Sequence, residues 1–285
     1  MAEFEIRSAS AREIGLMRDW ADEEGWNPGD SDRWAFAVAD PEGFLIGRLD
    51  GEPVSCISAV RYGAGFGFIG FYITRPAVRG QGYGMRLWRA GMDRLQGRTV
   101  GLDGVVDQQE NYRRSGFVRA WNNVRFEGVP APGDAAGAPP EGVSLVDGRS
   151  LSFGRLAAYD RRFFPEARHA FLAAWVGLPG RRAVAAVRDG EMRGFGVARP
   201  CSGAARIGPL YAADQQVAAA LVHALAADRQ GSAVAVDVPD CNRPAMELAA
   251  ELGLSPTFEA ARMYSGPVPE VDRAGLFGVT SLELG

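Results

Sequence analysis

A glycine-rich segment after a predicted strand is the clearest candidate for chemistry in this sequence. It follows the apolar run 66–74 and precedes a helical pattern that begins at about Tyr83. Glycine permits backbone conformations that other residues avoid, and the free amides at a helix N-terminus, together with an arginine, bind anions. We therefore expect a phosphate group to bind at the residues Arg79, Gly80, Gln81, Gly82, Tyr83 and Gly84.

Two phosphate-containing ligands are compatible with this loop. In a dinucleotide-binding fold Asp103 would bind a ribose, because it lies about 20 residues beyond Gly84. That fold requires a glycine where Met85 stands, and its loop follows its strand directly, whereas residues 75–79 intervene here. A dinucleotide-binding oxidoreductase is therefore a remote alternative to a site for the pyrophosphate of coenzyme A.

Two motifs resemble those of the GCN5-related N-acetyltransferase (GNAT) superfamily. Its signature (R/Q)-x-x-G-x-(G/A) is matched by Arg79, Gly82 and Gly84, and the segment 111–117 resembles its Tyr-x-x-x-Gly-Phe segment. Further segments resemble a bacterial subfamily with two such domains in tandem, namely 24–32, 102–117, 159–176 and 280–285. The resemblance implies an α/β (α+β) fold of two GNAT-like domains, each with a mixed, mostly antiparallel central sheet flanked by helices. It also implies acetyl-CoA as the co-substrate.

The same order of predicted elements occurs twice along the chain, although the sequence identity between the copies is low. Each copy contains a hairpin pattern around an Asp-Gly pair, at Asp50-Gly51 and Asp189-Gly190. The Pro-, Gly- and Ala-rich stretch 129–143 separates the copies and is typical of a linker. We therefore predict an N-terminal domain over 1–128 and a C-terminal domain over 144–285.

The second copy lacks the features of the phosphate site. Its connection from strand to helix, 212–217, contains no glycine, and Ala249 occupies the position of Tyr112. We therefore predict one active site, in the N-terminal half.

The resemblance implies roles for several residues at that site. The backbone groups expected to pair with the pantetheine arm and to polarise the thioester carbonyl are those of Tyr72, Ile73 and Thr74. Tyr112 would donate a proton to the departing thiolate, because a phenol of pKa about 10 is protonated at neutral pH; packing beside the coenzyme is its alternative role. Since the strand 66–74 lacks the glutamate that often serves as the base, Asp103 is the candidate base, with a water relay equally possible.

The loop after the first helix is expected to cover the acceptor. That helix starts with a capping-box pattern at Ser10 and Glu13. Its last turn is acidic over 22–24, where the helix dipole disfavours anions, so these carboxylates either attract a cationic amine or form a solvated helix end. The expected acceptor-binding residues are Glu24, Trp26, Asn27 and Asp30.

Composition argues against several classes of partner. The net charge of −4 without a run of basic residues predicts neither a nucleic-acid nor a membrane-surface partner. The N-terminal sequence lacks a signal-peptide pattern, so the predicted location is the cytoplasm. Three scattered cysteines and two histidines without ligand spacing predict no metal site.

Together these features predict an acetyl-CoA-dependent N-acetyltransferase. It would acetylate a primary amine of a small molecule, in preference to a protein amine, by direct attack in a ternary complex. We expect a monomer, as an intramolecular pseudo-dimer, or a homodimer. The alternative from another class is a non-catalytic acyl-CoA-binding regulatory protein, which would keep the glycine loop but need neither Tyr112 nor an acceptor pocket.

Overall fold

A computed structural model describes residues 3–131, 138–227 and 231–285 of the chain. Residues 132–137, part of the predicted linker, lie outside the described residues. The first half contains the strands β1 (Phe4–Ser8), β2 (Phe44–Leu49), β3 (Glu52–Tyr62), β4 (Phe66–Thr74), β5 (Thr99–Val105) and β6 (Val118–Gly128). Its helices are α1 (Ala11–Glu23), α2 (Asp32–Ala39), α3 (Tyr83–Arg94) and α4 (Gln109–Arg114).

The second half repeats this order of elements and adds a final short strand. Its strands are β7 (Ser144–Asp147), β8 (Arg182–Arg188), β9 (Glu191–Cys201), β10 (Ala204–Ala212), β11 (Ala233–Pro239), β12 (Ser255–Ser265) and β13 (Leu276–Gly278). Its helices are α5 (Phe153–Asp160), α6 (His169–Gly177), α7 (Gln215–Ala226) and α8 (Arg243–Glu251).

The described strands form one continuous sheet that runs through both halves. Their order is β1-β2-β3-β4-β5-β12-β6-β11-β10-β9-β8-β7, and β13 pairs with β10. Within the described ranges only β4–β5 and β10–β11 pair in parallel. The predicted mixed, mostly antiparallel sheet flanked by helices is confirmed. It does not fit the parallel, doubly wound sheet on which the dinucleotide alternative depends.

The two hairpins predicted around Asp-Gly pairs are confirmed and have matching turns. Asp50 and Gly51 have φ values of 49° and 85°, and Asp189 and Gly190 have 50° and 79°. Positive φ at both central residues gives a turn whose twist matches the twist of the flanking strands. The hairpins β2–β3 and β8–β9 therefore have the same turn geometry in the two halves.

The two halves exchange their last long strands. Strand β12, from the second half, lies between β5 and β6, and β6, from the first half, lies between β12 and β11. Neither half therefore has a complete sheet of its own. The boundaries 1–128 and 144–285 stay a prediction about the sequence repeat, since the sheet itself is not divided there.

Two buried ion pairs hold the exchanged strands at equivalent places. Arg262 on β12 donates to Asp103 on β5 at 2.7 and 2.6 Å. Arg125 on β6 donates to Asp237 on β11 at 2.8 Å. Each pair joins residues that are direct partners in the antiparallel register. Breaking such a pair leaves an uncompensated charge in a buried position, which costs about 3–5 kcal/mol.

Helices α2 and α6 pack against each other across the two halves. The rings of Phe36 and Trp175 stack at 6.1 Å between centroids. Beside them the fully buried Asp32 accepts from Arg181 at 2.8 Å and from Arg199 at 3.0 Å. Helix α2 of the first half is therefore anchored to the second half by stacked rings and a buried ion-pair network.

The start of α1 confirms the predicted capping box. Glu13 N–H donates to the Ser10 hydroxyl at 3.4 Å, and Ser10 N–H donates to the Glu13 carboxylate at 2.9 Å. Gly25, just beyond the helix, has a φ of 78°, which ends the helix in the left-handed conformation. The cap and the stop fix where the following loop leaves α1.

Candidate active site

Strands β4 and β5 separate partway along their length, and this separation creates the candidate site. Their parallel pairing covers only Phe66–Ile69 against Thr99–Leu102. Beyond Ile69, β4 continues to Thr74, while β5 stays paired with β12 on its other side. A wedge-shaped opening therefore lies between the ends of β4 and β5.

A bulge in β4 lies at the edge of this opening. Phe71 and Tyr72 stand opposite a single residue of β3, Ile57, because the register shifts there. Phe71 has a φ of 47°, in the left-handed region that a bulky residue rarely adopts. Backbone in such a conformation occurs preferentially at ligand sites.

The opening leads into a cavity of about 970 Å³, which is at the upper end for small-molecule sites. The second half contributes four residues to its wall, namely Phe258, Ala260, Leu282 and Glu283. The predicted site residues that line it are Glu24, Trp26, Tyr72, Ile73, Thr74, Arg79, Gly80, Gly82, Gly84, Asp103 and Tyr112. The structure thus brings together most of the predicted donor site and half of the predicted acceptor site.

The glycine loop has the conformation that its sequence requires. Gly80 and Gly82 have φ values of 79° and 86°, and a Cβ added at either would meet no atom within 4 Å. Gly82 is the N-cap of α3, and no side chain caps the amides of the first turn. These amides are therefore available to an anion in the cavity, where the helix dipole also favours negative charge.

The other loop residues contribute differently. A Cβ at Gly84 would lie 2.7 Å from the Thr74 hydroxyl, so glycine there lets α3 begin against the end of β4. The side chains of Gln81 and Tyr83 are directed elsewhere: Gln81 donates to Ala77 O at 3.3 Å, and the Tyr83 ring packs on Phe4 at 4.7 Å. Gln81 and Tyr83 can therefore contribute only backbone groups to the predicted phosphate site.

Arg79 is engaged by the acidic end of α1. Its Nε donates to Thr74 O at 2.8 Å, and its Nη2 forms an ion pair with Glu24. Arg75 forms a similar ion pair with Glu23. The acidic helix end is thus balanced by two arginines, which explains the carboxylates without an amine ligand.

The loop after α1 lines the cavity as far as Trp26, and the predicted acceptor residues beyond Trp26 lie outside the cavity. Trp26 lines the cavity, and its carbonyl oxygen accepts from Arg125 at 2.7 Å. Asn27 does not line the cavity: its amide exchanges two 3.0 Å hydrogen bonds with the backbone of Ser202, in the β9–β10 hairpin. Asp30 pairs with Arg18 at 3.1 Å and is also outside the cavity. Asn27 thus helps to dock the two halves, and the acceptor roles of Asn27 and Asp30 stay predictions, since neither residue lines this cavity.

The Tyr112 side chain lies against the wall of the cavity. Its ring contacts Trp88 at 5.6 Å, and a Cβ at Gly104 would collide with it, so the glycine after Asp103 makes room for this ring. Burial, with a smaller effect of Tyr72, raises the pKa of Tyr112 to about 12. The phenol is therefore protonated throughout the physiological range.

Asp103 reaches the cavity wall, but its carboxylate is already occupied. Both oxygens accept from Arg262, and Oδ1 also accepts from Asn123 at 2.8 Å. Burial raises the pKa of Asp103, while Arg262 and Asn123 oppose that rise. Its counterpart Asp237 makes the same cross-strand pair in the half without a glycine loop. The geometry therefore favours a structural role for Asp103 over that of a base.

Glu283 is an acidic residue of the cavity that sequence reasoning missed. Its side chain is buried, and its Oε2 has no hydrogen-bond partner in the described part of the chain. A Cβ at Gly70 would collide with the Glu283 carbonyl oxygen, so this residue lies beside the start of the β4 bulge. Glu283 lies in the segment 280–285, one of the segments that resemble the tandem subfamily, and a glutamate between two leucines there is the sequence feature that could have indicated it.

The backbone around Glu283 is held in place by hydrogen bonds. Arg168 donates to Gly285 O at 2.9 Å, and Tyr62 donates to Leu284 O at 3.0 Å. Arg168 also donates to the Thr280 hydroxyl at 2.8 Å. Because Thr280, Leu284 and Gly285 are held on either side of it, the position of Glu283 beside β4 is well defined.

The second half has an equivalent opening, which the chain itself fills. Strands β10 and β11 pair only over Ala204–Ile207 and Ala233–Val236. Beyond this point β13 pairs with β10, and Val279 N–H donates to Asp237 O on β11 at 3.0 Å. The strand β13 therefore occupies the place that the open cavity occupies between β4 and β5.

Two further properties bear on the class of site. Across 3–131, 138–227 and 231–285, no group of three or more His, Cys, Asp and Glu side chains is arranged to hold a metal ion. Over the same ranges, no helix has the length and apolar character needed to cross a membrane.

Comparisons with known proteins agree with this geometry. Residues 12–117 match the family model described as "Acetyltransferase (GNAT) family", and residues 156–278 match the model described as "Acetyltransferase (GNAT) domain". Holothin acyltransferase from Pseudoalteromonas sp. (strain SANK 73390) is 33% identical over 281 residues, which cover 98% of this chain and 94% of the relative.

Two solved structures share the fold. One from Pyrococcus horikoshii has a TM-score of 0.81 at 22% identity and covers 99% of this chain and 96% of its own. A tandem GNAT protein from the clavulanic acid biosynthesis pathway has a TM-score of 0.61 at 18% identity, with coverages of 93% and 100%. Since family models match both halves and a 33% identical acyltransferase spans nearly the whole length, the chain belongs to the GNAT family of acyltransferases, with two GNAT domains in tandem.

Proposed function

We propose that this GNAT protein transfers an acetyl group from acetyl-CoA to a primary amine of a small molecule. The single observation that carries the proposal is the cavity between β4 and β5, which combines the uncapped glycine loop, the β4 bulge and Tyr112. Acetyl-CoA supplies a thioester, whose carbonyl carbon is the electrophile for the amine.

The donor end of the cavity fits a pyrophosphate. The amides that follow Gly82 have no side-chain cap, and the open space at Gly80 and Gly82 allows a phosphate to approach the backbone closely. In the structure Arg79 binds Thr74 O and Glu24, so its expected part is to position the loop. A contact of Arg79 with phosphate would require exchange of its Glu24 partner.

The β4 backbone and Tyr112 fit the reacting end. Backbone groups of Tyr72, Ile73 and Thr74 line the cavity beside the bulge, where a donor hydrogen bond would stabilise the developing oxyanion. Tyr112 keeps its proton at neutral pH and would donate a hydrogen bond, and then the proton, to the departing thiolate.

Direct attack by the amine is favoured because no nucleophilic thiol faces the cavity. Cys56 is fully buried in β3 and donates its thiol hydrogen to Phe71 O at 3.1 Å. Burial raises the pKa of that thiol, which disfavours the reactive thiolate. In the described part of the chain, neither Cys201 nor Cys241 lines the cavity.

The acceptor end fits a small amine with an apolar part. Its wall contains Trp26, Phe258, Leu282 and Glu283. The relative named holothin acyltransferase supports a small-molecule acceptor over a protein.

For the assembly, our prediction remains a monomer or a homodimer.

The test is thiol release from acetyl-CoA in the presence of a panel of primary alkyl and aromatic amines. We expect turnover with at least one small amine and formation of its N-acetyl derivative, identified by mass spectrometry. Tight acetyl-CoA binding without turnover across the panel would favour the non-catalytic acyl-CoA-binding alternative. Turnover only with longer acyl-CoA donors would correct the acyl group and retain the reaction class.

A further inference from the structure

The structure assigns the base of this reaction to Glu283, a residue of the second half that enters the cavity of the first. This inference rests on the proposed amine acetylation. Three observations support it. Glu283 lines the cavity, the Oε2 of its carboxylate has no hydrogen-bond partner among the described residues, and the other two carboxylates of the cavity wall are paired with arginines.

Glu283 lies next to the backbone that would hold the thioester. Its carbonyl oxygen fills the space beside Gly70, which directly precedes the bulge residues Phe71 and Tyr72. Glu283 and Tyr112 both line the same cavity. An amine that attacks a carbonyl at the bulge would therefore have Glu283 in the wall of the same enclosed space.

The other acidic residues of the cavity wall are committed to arginines. Asp103 accepts from Arg262 through both oxygens. Glu24 is paired with Arg79. Glu283 differs, since its Oε2 is buried without a partner among the residues described. A buried polar oxygen without a partner is costly, so such a group calls for a functional explanation.

The charged surroundings of Glu283 come from four elements. The guanidinium groups that face it are those of Arg206 on β10, Arg199 on β9 and Arg125 on β6, and the facing carboxylate is that of Asp32 on α2. The arginines are themselves paired: Arg125 and Arg206 with Asp237, and Arg199 and Arg181 with Asp32.

The balance of these effects leaves Glu283 a better base than an ordinary carboxylate. Burial opposes the charged form and raises the pKa of Glu283; Arg206, Arg199 and Arg125 lower it, and Asp32 raises it further. A base is most effective when its pKa is close to the working pH. The raised pKa therefore brings this carboxylate closer to the range in which it can accept a proton from an amine.

Each proton and bond of the step has a donor and an acceptor. The nitrogen lone pair forms a bond to the thioester carbon while the Glu283 carboxylate takes a proton from the nitrogen. The carbon–sulfur bond then breaks, and the sulfur takes the phenolic proton of Tyr112. Proton exchange with water returns Glu283 to the carboxylate and Tyr112 to the phenol, so that the products are the amide and coenzyme A.

The experiment compares the wild-type protein with Glu283→Gln as a function of pH, using acetyl-CoA and the best acceptor from the amine panel. The ionisation of the amine affects both proteins equally, so the ratio of their kcat values reports the carboxylate. We expect a ratio on the order of 100 at pH 8, since general bases contribute about 10²–10⁴-fold. The ratio should fall toward 1 as the pH drops and Glu283 becomes protonated.

Two further variants exclude general damage. Glu259→Gln removes a carboxylate from β12 that is hydrogen-bonded to Asn122 outside the cavity, and it should keep the wild-type pH profile. Glu283→Asp should retain the acid limb of the pH–rate profile, that is, the fall in kcat toward low pH, at a reduced overall rate. Acetyl-CoA binding, measured by calorimetry, should be the same in the wild-type protein and in Glu283→Gln.

Three outcomes would overturn the assignment in distinguishable ways. A kcat ratio that is small and independent of pH would remove Glu283 from proton transfer. A raised KM with an unchanged kcat would make Glu283 an anchor for the amine instead of its base. Absence of turnover in the wild-type protein would refute the proposed function itself and the role of Glu283 with it.

Discussion

At the level of single residues, the acidic side chains of the cavity are distinguished by whether their oxygens have partners. Asp103 repeats a cross-strand ion pair that Asp237 makes in the other half, whereas the Oε2 of Glu283 has no hydrogen-bond partner among the described residues. A carboxylate that is held by an arginine stabilises the fold, and one that is not held can accept a proton. This difference predicts opposite consequences for their substitution.

Asp103→Asn is expected to weaken the fold more than the chemistry. The change leaves the buried Arg262 without its charge partner, so the free energy of unfolding should fall by about 3 kcal/mol or more. Denaturant unfolding would measure this, and the folded fraction should retain the acid limb of the pH–rate profile. Wild-type stability with loss of that limb would instead restore Asp103 as the base.

Tyr112→Phe is expected to lower kcat by about tenfold to a hundredfold, because the departing thiolate loses its proton donor. The ring remains packed on Trp88, so acetyl-CoA affinity should change little. Steady-state kinetics combined with calorimetric titration would separate the two effects. A variant with full kcat would show that Tyr112 only packs beside the coenzyme.

At the level of elements, the function of the first half depends on two strands that separate and on a helix that begins with glycine. The same separation occurs between β10 and β11, but there β13 fills it. The equivalent bulge positions also carry equivalent glycines, Gly70 and Gly208, and the segment 279–283 passes over both. One short segment therefore closes the second opening and delivers Glu283 to the first.

Gly82→Leu is expected to raise the KM for acetyl-CoA at least tenfold. Its side chain would occupy the approach to the α3 amides, and the φ of 86° would add backbone strain. The matched control is Gly97→Leu, whose φ of 81° is similar and which also has no atom within 4 Å of a Cβ, but which lies outside the cavity. Both variants should lose similar stability.

Acetyl-pantetheine, a fragment of acetyl-CoA, supplies a second control for the glycine loop. Acetyl-pantetheine lacks the pyrophosphate, so the Gly82→Leu substitution should affect its turnover much less than that of acetyl-CoA. An equal effect on both donors would show that the loop does not bind the phosphates.

At the level of the whole molecule, the exchanged strands make the two halves one folding unit. Strands β12 and β6 alternate between β5 and β11, so separation of the halves would break three strand pairings and leave unpaired backbone groups on four strands. We expect a chain cleaved at a protease site introduced within 132–137 to elute as one particle in gel filtration and to remain active. Elution of two separate folded fragments would contradict the strand exchange.

The sequence predicted the parts of this molecule that depend on neighbouring residues. The glycine loop with Arg79, the Tyr112 segment and the two Asp-Gly hairpins are local patterns, and the structure contains them as expected. The placement of Asn27 and Glu283 depends on contacts between the two halves, separated by more than a hundred residues in the chain. Single-sequence patterns carry no information about which strands exchange, so those contacts could not be predicted.

The central claim is that one acetyl-CoA site exists in each chain, between β4 and β5. Calorimetric titration of the purified protein with acetyl-CoA tests it most directly, because the method gives the number of sites. We expect one molecule of acetyl-CoA to bind per chain. Two molecules per chain would show that β13 does not close the second opening, and no binding would contradict the assignment of the cavity.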